Sequence, residues 1–326
     1  MAVVQKTKAA DRQAVCKRLL TILKKRYTGK LPKFELPVLE TMLFSASLEN
    51  ATWDDAVAAQ ERLHASFHDL NEIRVSSVKE TETVFADLSD PDWRALRVRS
   101  VLQYVFEATY SFEFETLKRK TLESANKQLG KVAHMTPFMR LFTLQQCLGS
   151  HLLPVDDRMA DALIWLGLAA PKTPNEEVSD LLKSSVRKSE SPLFCHLMRC
   201  LATDPKYIKF FATINKGAPE DGWDLENAAE RLDRLFKRGP SAFQKPKKKR
   251  TAKKTSRTSK KTAGTGTKTA RKRNAAAANK KKTTTGTPRK KAGSKKVKVA
   301  KPKTAKKVTR TTKAAKKKTT RKKPKR

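Results

Sequence analysis

The chain lacks what would cross-link it or embed it. Its four cysteines, Cys16, Cys147, Cys195 and Cys200, make no disulfide framework and no close metal-ligand pair. They read as core thiols in a reducing compartment. No apolar run nears the roughly 18 residues of a membrane span, and residues 1–10 lack the apolar centre of a secretion signal. The expectation is an intracellular protein with no membrane partner. Strand-length alternation of polar and apolar residues is missing too, so the body reads as all-α. His64 and His68 are one helical turn apart, but no third ligand converges on them. They read as surface or packing histidines, and no metal is expected.

The largest absence is local. After Phe243 there is no Asp, Glu, Phe, Trp, Tyr, Leu, Ile or Met. That stretch nevertheless carries 37 of the 72 Lys and Arg residues, leaving 35 basic against 32 acidic residues before it. Nearly all of the net charge of +40 therefore sits at one end. Without large apolar side chains such a segment cannot offset the entropy of ordering itself, so disorder in isolation is expected. All 14 Phe, 4 Trp and 4 Tyr lie in the remainder, which is long enough to bury a core. Three parts follow: a basic leader over 1–10, an all-α domain over 11–240, and a disordered Lys/Arg-rich tail over 241–326.

Apolar residues recur at helical spacing over 11–27, 37–45, 52–67, 78–87, 91–110, 116–130, 137–148, 175–187, 192–202 and 225–236. The densest stretch is 129–168. There a tight turn at 132–136 precedes Pro137, suited to the first position of a helix, and Asp156 and Asp157 stand directly before the apolar series Met159, Ala162, Leu163, Leu166. A carboxylate in that place caps a helix.

This segment resembles the helix-hairpin-helix and catalytic-aspartate segment of the endonuclease III superfamily of DNA glycosylases. Val155-Asp156-Asp157-Arg158 matches the family's "VDTH", and residues 132–138 fall on its "LPGVGRKTA" hairpin. Leu43-Phe44-Ser45-Ala46-Ser47 resembles its "LLSAQ" helix end, and 92–108 its long helix before the hairpin. The likeness covers roughly 30–205. Both hairpin glycines fall on His134 and Thr136, and the nucleophilic lysine of the bifunctional members falls on Phe138.

The resemblance implies a helical DNA-glycosylase-like domain with Asp156 as the catalytic carboxylate, orienting water and stabilising a sugar cation; Asp157 is the alternative by one register. Capping alone accounts equally for Asp156. With Phe138 in place of the lysine no Schiff base can form, so an enzyme here is a monofunctional N-glycosylase without strand cleavage. The family's iron-sulfur cluster has no cysteine counterpart and no cofactor is expected. Hairpin contacts to DNA would fall to Lys127, Lys131, His134, Thr136 and Arg140, with Ser47 where the family has a gap-filling glutamine. The same charges around a turn read equally as a solvated surface. Trp165, just beyond the carboxylates, is a candidate for a base pocket or for the core.

Within the tail, Lys245, Lys247, Lys248, Lys249 and Arg250 head the basic run, whose composition resembles that of linker-histone tails. It neutralises phosphates and has no aromatic residue with which to read bases. Double-stranded DNA is the expected partner, with RNA an alternative for the tail. The place is then the bacterial nucleoid or the nucleus. The function expected is that of a DNA-binding monofunctional base-excision glycosylase tethered by its tail; the alternative is a non-catalytic DNA-compacting or chromatin- or nucleoid-associated architectural protein.

Overall fold

In the computed structural model the described residues are 9–219 and 222–243. Most of the expected leader and almost all of the expected tail, including Lys245, Lys247, Lys248, Lys249 and Arg250, lie outside them. The chain divides into the units Met1–Thr251 and Ala252–Arg326, and every helix below belongs to the first.

Among the described residues the structure is helical throughout, with no strand: α1 Ala9–Arg26, α2 Val38–Leu48, α3 Trp53–Ser66, α4 Leu70–Val75, α5 Val78–Glu82, α6 Pro91–Thr109, α7 Leu122–Leu129, α8 Pro137–Leu148, α9 Asp157–Trp165, α10 Asn175–Lys183, α11 Ser191–Thr203, α12 Ile208–Ile214 and α13 Ala228–Arg238. Side-chain caps begin several of them. Thr52 accepts from the Asp55 amide, Ser77 and Glu80 close a capping box, and Thr136 accepts from Met139 N ahead of Pro137.

The helices bury two apolar cores. α2 is buried on all sides but Glu40 and is the centre of the first, where Leu43 and Phe44 meet Phe85, Val98, Leu102 and Phe138. The second core joins the two ends of the body. Leu19 and Leu23 of α1 pack with Leu232 and Leu235 of α13 over Trp165, Phe194 and Phe211, and Tyr27 meets Phe236 edge-on at 6.0 Å. Trp165 is fully enclosed, with the rings of Phe210, Phe211 and Phe243 at 5.4, 5.5 and 5.4 Å. It belongs to the core and lines no base pocket.

Several expected helices break where a local alternative satisfies the backbone better. The one expected over 116–130 is a 3-10 turn, Glu115–Arg119, followed by α7, because the Thr121 hydroxyl accepts from Ser124 N and starts a new helix. That expected over 175–187 stops at Lys183, and that over 78–87 becomes α5 and a 3-10 turn, Thr83–Phe85. α4, capped by Asp69, and α12, which inserts Phe210 and Phe211, are too short to show a period in the sequence.

One turn tolerates only glycine. Gly167 follows α9 at φ +74, and a Cβ there would lie 2.4 Å from the Trp223 carbonyl oxygen. Gly167→Ala combines left-handed strain of about 1–2 kcal/mol with overpacking of about 1–3 kcal/mol. A loss of about 3 kcal/mol in urea-unfolding stability is expected; a change below about 0.5 kcal/mol, the range of an ordinary surface substitution, would refute this account of the turn.

Candidate nucleic-acid interface

α9 begins where the two cores meet, and its cap is Asp156. One carboxylate oxygen, Oδ1, accepts from Met159 N at 2.9 Å. The other, Oδ2, accepts from Asn50 N at 3.2 Å and from Arg199 Nη1 at 2.9 Å. The Asp156 side chain is 0% exposed and that of Arg199 4%. Arg199 also donates to the Leu48 carbonyl at 2.7 Å, and its guanidinium lies 4.8 Å from the centre of the Phe138 ring. α2, α8, α9 and α11 therefore converge on one buried ion pair, with both oxygens occupied and Phe138 packed against the cation. Asp157, one residue on, is exposed and accepts from Asn175 Nδ2 at 2.8 Å.

The loop after α2 is held by a second arginine. Arg94 of α6 donates to the carbonyls of Ala46, Ser47, Glu49 and Ser89 at 2.6, 2.9, 2.5 and 2.7 Å. Burial brings its pKa down to about 10, with Glu49 opposing. Ser47 is consequently enclosed within the body rather than presented on its surface. Glu49 pairs with Arg97 at 2.7 Å. Burial pushes its carboxyl above the usual range, with Arg97 and the Thr136 hydroxyl pulling it back.

The hairpin between α7 and α8 carries the other residues singled out from the sequence. His134 has φ +59, the left-handed conformation a glycine adopts without strain. It is exposed, as are Lys127 and Lys131 at the end of α7 and the start of the turn. Thr136 is half-buried and engaged as the α8 cap. Arg140 points elsewhere, pairing with Glu176 of α10 at 2.5 Å. Trp93, 48% exposed at the start of α6, lies 6.0 Å from the His134 ring.

Beside the buried ion pair is a cavity whose wall includes Phe34, Trp53, Phe142, Gln146, His196 and Arg199. His196 meets Trp53 edge-on at 5.7 Å, and burial, then the Arg199 charge, lowers its pKa. Sequence reading missed Arg94, Arg97, Glu49 and Arg199. An arginine in the middle of an apolar helix series, as Arg199 is between Met198 and Leu201, was the only local signal for any of them.

No protein-family model matches the chain, and no curated protein matches it. Among solved structures it is similar to a trapped endonuclease III–DNA covalent intermediate in an estranged-adenine complex, at a TM-score of 0.46 and 14% identity over 58% of this chain and 85% of that one. A non-covalent endonuclease III–DNA complex is similar at a TM-score of 0.45 and 14% identity, with the same coverage of 58% and 85%.

Proposed function

We propose that this chain is a DNA-binding protein. Its Lys/Arg-rich stretch holds duplex DNA through phosphates, and its helical body adds the exposed hairpin residues Lys127, Lys131 and His134. Of the two functions open from the sequence, the geometry supports binding without base excision. The observation that carries this is the closure of Asp156. A carboxylate that is to steady a sugar cation or orient water must present an oxygen to the substrate, and the Asp156 side chain is 0% exposed, with Oδ2 held by Asn50 N and the Arg199 guanidinium and Oδ1 accepting from Met159 N.

A second reading has its own support. The aromatic cavity beside Arg199 offers planar walls suited to an extruded base. A swing of Arg199 away from Asp156 would join carboxylate and cavity into the site of a monofunctional N-glycosylase. Phe138, at the position the resemblance gives to the family's nucleophilic lysine, supplies no amine, so no strand cleavage is expected with it.

The test is base release from duplexes carrying a panel of lesions, with the full chain and its Asp156→Asn variant, together with borohydride trapping. The binding reading expects no release by either protein and no trapped adduct. Release by the parent that is lost in Asp156→Asn, with DNA affinity and the helical circular dichroism of the body both unchanged, would establish the glycosylase instead.

A further inference from the structure

Trp93 is the first large side chain of α6, and Leu96, Ser100 and Gln103 follow it at intervals of three, four and three residues, one row along the helix. Leu96, Ser100 and Gln103 of that row, with Arg99 on the same helix, line a groove whose lining also includes Arg74 of α4 and Lys131 of the hairpin. Arg74 is fixed in position: its guanidinium lies 4.3 Å from the Phe106 ring centre, Nη1 donates to Gln103 Oε1 at 3.0 Å, and Nε to Asn71 Oδ1 at 3.1 Å. Neither Arg74, Arg99 nor Lys131 forms an ion pair within 4.0 Å among the described residues. Glu107 is the acid lining the groove, at its far end, where it accepts from Gln103. Glu80, fully exposed, feels the Arg99 charge from outside.

Two aromatic rings neighbour the residues that line this groove: Trp93 lies one helical turn before Leu96, and His134 follows Ala133 in the chain. Trp93 is the exposed one of the four tryptophans, and the left-handed backbone at His134 holds that exposed imidazole 6.0 Å away at an interplanar angle of 59°. Leaving an indole half in water forgoes the favourable burial available to it elsewhere. The ligand that uses both features carries negative charge along its length and planar rings between the charges. Inorganic phosphate or an acidic peptide would engage the cations and leave the rings idle. A duplex keeps its base faces inside its own stack. An unpaired strand offers both.

We propose that the α6 groove binds an unpaired DNA strand, with a base stacked on Trp93 and His134 and the following phosphates on Arg99, Lys131 and Arg74. This rests on the DNA-binding reading and assigns to the body a preference that the basic stretch, with no ring to stack, cannot supply.

The experiment uses the full chain at a salt concentration that weakens non-specific phosphate contacts. It is titrated with a labelled oligothymidylate and with a labelled blunt duplex of equal length. Anisotropy of the label follows occupancy, and tryptophan fluorescence follows stacking. Quenching by the single strand, and little by the duplex at equal occupancy, is expected. Trp93→Leu should abolish the quench while keeping the circular dichroism of the parent, and Arg99→Glu with Lys131→Glu should raise the quench midpoint by about tenfold or more. Equal quenching by the duplex, quenching that survives Trp93→Leu, or saturated single-strand binding without quenching would each overturn the proposal. If neither DNA is bound, it is the DNA-binding reading that fails.

Discussion

Replacing Arg199 with alanine is expected to lower the stability of the helical body by about 3–5 kcal/mol, among the largest effects of any single side chain in it. The cause is what remains. Asp156 stays 0% exposed, so its charge would be left in the interior with two backbone amides as its partners, while the Leu48 carbonyl loses its donor. Asp156→Asn should cost a similar amount for the mirror reason: asparagine still caps α9, but Arg199 is left buried without a counter-charge. The pair taken away together behaves differently, because well-packed neutral residues often replace a buried ion pair at little cost. Asp156→Asn with Arg199→Met keeps the cap, fills the space against Phe138, and should recover most of the loss. Urea midpoints for the parent, the two single variants and the double variant form the cycle that measures this. Losses in the two single variants that simply add in the double would show that the residues are not coupled. Arg199→Ala also bears on the second reading of function, since it frees Asp156 Oδ2 beside the aromatic cavity. Base release that appears only in this variant would identify Arg199 as a closure over a latent site.

The fold class was legible because it is written in local periodicity. α2, α6 and the α8–α9 segment carry their apolar residues at helical spacing and their starts in capping side chains, and both signals lie within a few residues. The role of Asp156 as a cap was equally local. Its ionic partner was not: Arg199 lies 43 residues further on, and the third member, Leu48 O, is 151 residues away from that arginine. Sequence spacing does not encode such a meeting; packing of the two cores creates it. The enclosure of Ser47 has the same origin, since Arg94 reaches it from 47 residues away. Where local signals competed, the capping hydroxyl won. Thr121 divides what apolar spacing joined, as its hydroxyl satisfies an amide that a continuous helix would have bonded otherwise.

Removing everything after residue 243 is expected to have the largest effect on DNA affinity. That truncation takes away 37 basic residues and no acidic one, whereas the hairpin face of the body presents Lys127 and Lys131 as its lasting positive charges. Each neutralised phosphate contributes about −0.9 to the slope of log affinity against log salt. With about ten charges engaged at once, the full chain should show a slope near −9, and the truncated chain one of about −2 to −3. At about 0.15 M salt the difference amounts to a loss of affinity on the order of 10³-fold or more. Shuffling the order of residues beyond 243 at constant composition should leave slope and affinity unchanged, because phosphate neutralisation depends on charge density and not on which lysine comes first. A truncated chain that kept the steep slope would move the phosphate contacts onto the body. A shuffled chain that lost affinity would mean that the basic stretch carries a specific recognition element, which its want of aromatic residues argues against.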